Sequence, residues 1–106
     1  MCGIAGIVGR VSEPNRAALR RMNDAMAHRG PDGEGYWEAS PDGRGRGAML
    51  AFRRLSILDL SSAGAQPIVD PVTGHVVVYN GEIYNYVELR AELEALGHRF
   101  ETWSDT

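Results

Sequence analysis

The residue best suited to chemistry in this sequence is Cys2, the one cysteine of the chain, which directly follows Met1. Removal of Met1 would give Cys2 a free α-amine beside its thiol, so that one residue would supply both a nucleophile and a general base. An α-amine has a pKa of roughly 7.7–8.0 in model compounds, so part of it is unprotonated at neutral pH and can accept a proton. A single early cysteine is more often buried and inert, so the rest of the sequence must decide between the two interpretations.

A second candidate is the segment at residues 79–85, YNGEIYN, which follows an apolar run and precedes a predicted helix. Backbone N–H groups at the start of a helix are available to an anion. The side-chain amide of Asn80 and the backbone N–H of Gly81 could together form an oxyanion hole for a tetrahedral intermediate. An Asn-Gly dipeptide is also a common turn, and at this point both interpretations stay open.

Charged side chains that could hold an amino acid occur at three places. Arg53 and Arg54 lie near the end of a predicted strand, where adjacent residues face opposite ways, so one of them should point inward. A guanidinium fork holds a carboxylate in a fixed orientation. Glu82 and Asp105 could bind an ammonium group. Taken singly, each of these charges also fits a solvated surface.

The segment HRGPDG at residues 28–33 contains a histidine that could act as a base, but His and Arg are common at a helix C-terminus. We therefore favour a structural role for His28. The three histidines and the cysteine lack metal-ligand spacing, and no glycine-rich loop ends in Lys-Ser or Lys-Thr. The sequence predicts neither a metal site nor a phosphate-binding loop in this chain.

The elements that must position these residues are predicted from apolar periodicity. Residues 2–8 predict a strand covered on both faces, with Ile4 and Val8 on the face of Cys2. A helix follows, with Ser12 as its N-cap and Pro14 in its first turn, and it ends before Gly30. The core face of this helix is predicted to carry Leu19, Met22 and Met26.

The second part of the chain is predicted to continue with strands and one helix. Turn signals at residues 31–33 and 41–43 indicate a hairpin. Residues 76–79 are β-branched and aromatic and predict a central strand. Asn85 and Glu88 resemble a capping box for the second helix. The predicted elements are strands at 35–39, 48–57 and 76–79, a helix that carries Leu89, Leu93 and Leu96 and stops at Gly97, and a strand at 99–103. Together they predict one α+β unit.

Composition limits the class of protein. The chain has 106 residues, of which 43% are hydrophobic and 24% charged, and this fits one domain with a modest core. Its net charge of -3 gives no basic surface for nucleic acid. The chain contains neither a signal peptide nor an apolar run near the roughly 20 residues of a membrane span, and a single cysteine suits a reducing compartment. We therefore predict a cytoplasmic protein that binds neither nucleic acid nor membranes.

Five motifs taken together resemble the class II glutamine amidotransferase domain of glutamine-hydrolysing asparagine synthetases. They are MCGIAG at 1–6, HRGPDG at 28–33, RLSI at 54–57, AQP at 65–67 and YNGEIYN at 79–85, and they precede Ser104-Asp105. The resemblance covers residues 1–106 and implies a partial αββα sandwich of the N-terminal-nucleophile hydrolase type. It also implies that this chain is the N-terminal part of such a domain. One departure is Phe52, where many members have a histidine, and it bears on the packing near Arg54.

The resemblance implies that Met1 is removed and that Cys2 attacks the side-chain carboxamide of L-glutamine. A γ-glutamyl thioester and ammonia would form, and water would then release glutamate. By the same resemblance, Asn80 and Gly81 form the oxyanion hole and Arg54 binds the α-carboxylate. The remaining substrate-binding residues that it implies are Glu82 and Asp105 for the α-amino group, and Leu55, Ile57 and Leu58 for the pocket wall.

The resemblance implies no cofactor for glutamine hydrolysis itself. It implies a C-terminal synthetase domain in the full-length protein, which would use ATP and magnesium to convert aspartate to asparagine with the ammonia released. Two alternatives stay open. The same glutaminase could serve another acceptor in a related amidotransferase, or the chain could be an inactive remnant in which Cys2 is merely buried.

Overall fold

The computed structural model describes residues 1–57 and 60–106. Within them, helices and strands mix in one α+β arrangement, as the sequence predicts. The elements are β1 (Gly3–Arg10), α1 (Glu13–Ala25), β2 (Gly33–Glu38), β3 (Arg46–Arg54), a 3₁₀ turn (Ser62–Gly64), β4 (Ile68–Val69), β5 (Val76–Val77) and α2 (Tyr86–Ala95). The first three strands form an antiparallel sheet in the order β1-β3-β2, and β4 pairs with β5. None of the helices in the described residues is long and apolar enough to cross a membrane.

The core lies between α1 and one face of the three-stranded sheet. Its buried members are Ala5, Leu19, Met49 and Ala51, with Met26 packed against them. The prediction that Met22 belongs to this core is wrong, because its surface is 43% exposed. Asn23 takes the buried position, since residues 19, 23 and 26 follow the helical repeat on this face. Its side-chain Nδ2 donates a hydrogen bond to the Tyr36 hydroxyl over 2.9 Å.

The other face of β1 differs from its prediction. Ala5 is buried against α1, but Val8 on the opposite face is 88% exposed and Ile4 is also exposed. In the described residues, the α1 side of β1 is therefore the covered one, and the prediction of a strand covered on both faces is wrong. Alternation of small and branched residues cannot distinguish a covered face from an open one, because the residue types on both faces are apolar.

Ion pairs connect α1 to strands β2 and β3 of the sheet. The Arg16 guanidinium donates two hydrogen bonds of 2.7 Å to the Glu38 carboxylate in β2. These bonds lower the pKa of Glu38 and raise that of Arg16. At the other end of the helix, Arg53 of β3 contacts Asp24 and the Glu34 carboxylate at 2.9 and 3.1 Å. Arg53 therefore faces α1, which leaves Arg54 for the opposite face of the sheet.

The predicted hairpin is formed by β2 and β3, whose bounds differ from the predicted ones by a few residues. Its turn is held by Asp42, whose Oδ1 accepts the backbone N–H groups of Arg44 and Arg46 over 2.9 and 2.8 Å. These two bonds lower the pKa of the Asp42 carboxyl. An aspartate that binds nearby backbone N–H groups is the reason a Pro-Asp-Gly segment favours a turn.

Two strand predictions in the second part of the chain are wrong. Residues 76–79 give only the two-residue β5, which pairs with β4 outside the main sheet and is therefore not central. Residues 99–103, all of them described, are irregular. There the Arg90 guanidinium lies over the rings of Phe100 and Trp103, 4.5 and 5.1 Å from their centroids. Cation–π contacts with the helix, and not strand pairing, hold this segment.

The second helix begins and ends where the sequence predicts. Asn85 is its N-cap residue, although the described structure has no cap bond from the Asn85 side chain, and Gly97 follows the helix at a φ of 94°. Such a φ suits glycine because no Cβ clashes there. The predicted apolar stripe lies exposed on α2, with Leu96 78% accessible. The sequence thus predicts the ends of α2, but the helix buries little of the apolar surface that usually stabilises so short a helix.

Candidate active site

A cavity of 630 Å³ lies beside the N-terminal end of β1 and the C-terminal end of β3. Eight of the nine predicted site residues line it: Cys2, Arg54, Leu55, Ile57, Asn80, Gly81, Glu82 and Asp105. The ninth, Leu58, lies outside the described residues. A smaller cavity of 240 Å³ lies between α1 and β2, where its charged groups Arg16 and Glu38 already bind each other. The larger cavity is therefore the candidate active site.

Cys2 is half-buried at the wall of this cavity. It immediately precedes Gly3, which pairs with Arg53 of β3, so the sheet register fixes its place. Its Sγ accepts the backbone N–H of Leu55 over 3.3 Å and lies 3.7 Å from the Leu55 carbonyl, to which the thiol donates. Met1 also lines the cavity and is exposed. The thiol thus lies at this cavity rather than in the core, which favours the reactive interpretation of Cys2 over the inert one.

The segment at residues 28–33 holds both strands that carry the candidate site. Arg29 Nε donates to the Cys2 carbonyl over 3.2 Å, on the β1 side. On the β3 side, the backbone N–H of Asp32 donates to the Arg54 carbonyl over 3.0 Å, and the Asp32 carboxylate accepts the N–H of Ser56 over 2.8 Å. Arg29 and Asp32 therefore fix the backbone on either side of the cavity wall. His28 is exposed and is not among the described residues that line the cavity.

Gly30 allows this close approach. A Cβ at this position would lie 2.5 Å from the Arg53 carbonyl carbon and 2.6 Å from the Arg54 nitrogen. These are backbone atoms of a paired strand, so they cannot move aside without breaking the sheet. The glycine at position 30 is therefore explained by contact with β3 rather than by helix termination, since α1 already ends at Ala25.

Arg54 brings a positive charge to the cavity from the end of β3. Its Nη1 donates to the Ser61 carbonyl over 2.6 Å, and this bond fixes the guanidinium from one side. A guanidinium carries five N–H donors in a planar fork, a geometry that suits a carboxylate bound through two hydrogen bonds. Phe52, two residues earlier on the same face, is 1% exposed and forms part of the same wall.

Two carboxylates, those of Glu82 and Asp105, bring negative charge to the same cavity. Glu82 follows the Asn80-Gly81 turn, and Asp105 lies beside the same turn because its Oδ2 accepts the Ile83 N–H over 2.8 Å. A cationic group and two carboxylates around one cavity suit a zwitterion such as a free amino acid. The turn itself adds the amide side chain of Asn80 and the backbone N–H of Gly81.

Three residues of the site were assigned no role by sequence reasoning. They are Arg29, Asp32 and Gln66, and each lies within a motif that carries the family resemblance. All three act on backbone atoms that are distant in sequence, which neither periodicity nor turn signals reveal. An Arg, Asp or Gln inside a Gly- and Pro-containing segment is the one signal that could have indicated such a task.

Comparison with known proteins gives one family for the whole chain. Residues 1–106 match the family described as a glutamine amidotransferase domain. The chain is 41% identical to asparagine synthetase [glutamine-hydrolyzing] 1 of Bacillus subtilis, over 100% of the chain and 16% of that protein. It is 47% identical to asparagine synthetase [glutamine-hydrolyzing] 2 of the same organism, over 99% of the chain and 13% of the relative.

A third relative, from another organism, gives a similar match. The chain is 38% identical to a putative asparagine synthetase [glutamine-hydrolyzing] 2 of Methanocaldococcus jannaschii, over 100% of the chain and 22% of that protein. The chain thus spans less than a quarter of the length of each of these three relatives. No solved structure matches.

Proposed function

Since the chain belongs to the glutamine amidotransferase domain family, we propose that it hydrolyses the side-chain amide of L-glutamine through Cys2 after loss of Met1. The observation that carries the proposal is the cavity in which a cysteine thiol, an arginine, two carboxylates and an Asn-Gly turn lie together. These groups match the reacting carbonyl, the α-carboxylate and the α-ammonium of one amino-acid amide. The chemistry of the site and the family both support this substrate class.

The reaction begins when the free α-amine of Cys2 accepts the thiol proton and Sγ bonds to the δ-carbon of glutamine. Negative charge develops on the amide oxygen, where the side-chain amide of Asn80 and the backbone N–H of Gly81 stabilise it. The ammonium of Cys2 returns its proton to the leaving nitrogen as the C–N bond breaks, and ammonia departs. Water then attacks the thioester, and glutamate and the free thiol are released.

Binding of the substrate in one orientation is assigned to the charged walls. Arg54 binds the α-carboxylate with its guanidinium fork, and Glu82 and Asp105 bind the α-ammonium. Leu55, Ile57 and Leu58 line the aliphatic part of the side chain. This arrangement converts an encounter in solution into a fixed approach of Sγ to the amide carbon.

The fold and the partner domain belong to the same proposal. The three-stranded sheet and α1 would form one α layer and one β layer of an αββα sandwich of the N-terminal-nucleophile hydrolase type. Residues 1–106 would be the N-terminal part of that domain. In the full-length protein a C-terminal synthetase domain would use the ammonia, with ATP and magnesium, to make asparagine from aspartate.

An electrophilic glutamine analogue tests this proposal. We expect 6-diazo-5-oxo-L-norleucine to give a single adduct on Cys2 of protein without Met1, identified by peptide mass spectrometry. The same protein should release ammonia from glutamine, and Cys2→Ala should lose both properties. Chain that retains Met1 has an amide in place of the amine and should be inactive. An unlabelled Cys2 would favour an inactive remnant, and turnover by verified Met1-bearing protein would disprove the amine as base.

A further inference from the structure

Gln66 uses its whole side-chain amide to hold the backbone that leads into the Asn80-Gly81 turn. It is 8% exposed. Its Oε1 accepts the backbone N–H of Tyr79 over 2.6 Å, and its Nε2 donates to the Tyr79 carbonyl over 3.2 Å. One side chain thus satisfies both backbone groups of the residue that directly precedes Asn80. This is the pattern that a neighbouring strand would supply, yet here it comes from a loop.

The backbone of Gln66 is itself fixed against the main sheet. A Cβ on Gly35 of β2 would lie 1.9 Å from the Gln66 carbonyl oxygen and 2.9 Å from its carbonyl carbon. Only a glycine allows this approach. Gly35 pairs with Phe52 of β3, on the sheet that also positions Cys2. Gln66 therefore connects the sheet that carries Cys2 with the Asn80-Gly81 turn at the same cavity.

The second N–H of Nε2 extends this connection to the carboxylate wall. It donates to the Thr106 hydroxyl over 3.3 Å, and Ser104 Oγ lies 3.3 Å from the same hydroxyl and 3.5 Å from Asp105 Oδ1. Asp105 in turn accepts the N–H of Ile83. The amide of Gln66 thus makes direct bonds to two segments that line the same cavity as Cys2.

We propose that Gln66 is a positioning residue, which holds the Asn80-Gly81 turn and the Asp105 segment at a fixed place relative to the Cys2 thiol. This inference rests on the proposed glutaminase function and adds a residue to which that function assigns no task. Gln66 acts through Tyr79 and Thr106 rather than on glutamine. It bonds Tyr79, the neighbour of Asn80, directly, whereas it reaches Asp105 only through Thr106 and Ser104. Its loss should therefore affect stabilisation of the transition state by the turn more than binding of the α-ammonium.

The test uses the protein without Met1 and compares two electrophiles that react with the Cys2 thiol. Iodoacetamide alkylates Cys2 without needing the turn, whereas 6-diazo-5-oxo-L-norleucine places a ketone oxygen where the amide oxygen of glutamine would lie. Loss of one oxyanion donor lowers kcat by about 10²–10³, so a displaced turn should cost about tenfold or more. We expect Gln66→Met to lower kcat for glutamine about tenfold or more, with KM within about threefold of the parental value. The diazoketone rate should fall relative to the iodoacetamide rate by a similar factor.

Leu19→Ala is the matched control, because Leu19 is buried in the core on the α1 face, away from the cavity. It should destabilise the fold and leave the ratio of the two alkylation rates as in the parent. Gln66→Glu provides a second variant of nearly equal size, which keeps an acceptor for the Tyr79 N–H and loses both donors. It should lower the ratio in the same direction, and it decides the question if Gln66→Met does not fold.

A parental ratio and kcat in folded Gln66→Met would overturn the inference. So would an equal loss of both alkylation rates, because that would indicate a structural role only. Failure of the underlying function gives a different result, since the parent protein itself would then neither hydrolyse glutamine nor react with the diazoketone. In that case the inference falls with the function on which it rests.

Discussion

Arg53 and Arg54 are neighbours of identical chemistry that the sheet assigns to different environments. Alternation along β3 turns Arg53 toward Asp24 and Glu34 on the α1 side and brings Arg54 to the cavity. Strand alternation predicts that one of the two arginines points inward, but spacing alone does not determine which one. The assignment depends on the face that α1 covers, and that is a tertiary property.

Replacement of Arg54 by lysine should weaken glutamine binding. Lysine keeps the positive charge but presents a single ammonium in place of a planar fork, so one charge-assisted hydrogen bond to the α-carboxylate is lost. Such a bond contributes about 1.5 kcal/mol, and we expect Arg54→Lys to raise KM for glutamine about tenfold with kcat little changed. Steady-state ammonia release by protein without Met1 measures both constants.

Arg53→Lys is the control for this experiment, since it makes the same chemical change one residue away, on the α1 side of the sheet. It should lower the stability of the fold and leave KM within about twofold of the parental value. Equal rises in KM for the two variants would contradict the assignment of Arg54 to the carboxylate.

Some helices, strands and turns can be predicted from local sequence, and others cannot. The start of α1 after Ser12, the hairpin around Asp42 and the end of α2 before Gly97 were all predicted, because caps and turns depend on a few neighbouring residues. The strand at 99–103 was not, since contacts of Phe100 and Trp103 with Arg90 decide that segment. β-propensity alone could not reveal a partner ten residues or more away.

The residues of the candidate site also divide into those that the sequence predicts and those that it does not. The residues with reactive or charged side chains were predicted, and those in the described chain lie around one cavity. The residues that position them were not, because Arg29 and Asp32 bind backbone groups more than 20 positions away. Chemistry can be deduced from a side chain, whereas a positioning role requires knowledge of which backbone lies opposite.

Gly30→Ala tests the contact between the 28–33 segment and β3. The added Cβ would meet the Arg53 and Arg54 backbone at 2.5–2.7 Å, so the segment must move away from the strand. Overpacking of this kind costs about 1–3 kcal/mol. We expect a corresponding fall in the free energy of unfolding, measured by urea denaturation. Loss of the bonds from Arg29 to Cys2 and from Asp32 to Ser56 should also lower glutaminase activity.

Gly43→Ala provides the matched control. A Cβ at Gly43 has no atom within 4 Å in the described structure, and no positive φ constrains the residue. Its free energy of unfolding should stay within about 0.5 kcal/mol of the parental value. If Gly30→Ala proved as stable as Gly43→Ala, the close approach to β3 would not be a requirement of the fold.

The molecule as a whole has a well-packed part and an open part. Its radius of gyration is 15.2 Å, whereas a compact chain of about 100 residues has a value of about 13 Å. The buried apolar residues of the described chain, Ala5, Leu19, Met49, Ala51 and Phe52, all lie in the sheet or in α1. Every residue of α2 is at least partly exposed. The candidate site takes one wall from the packed part and the other from the open part.

Amide hydrogen exchange should therefore separate the two parts. Exchange from a segment with little buried apolar surface requires only local opening, which costs less free energy than global unfolding. We expect the amides of α2 to exchange through such local opening, while those at the centre of β3 exchange only near the global limit. Mass spectrometry of the exchanged protein, with β3 peptides as the internal reference, measures the difference. Equal protection of α2 and β3 would show that α2 unfolds together with the sheet, in spite of its exposed stripe.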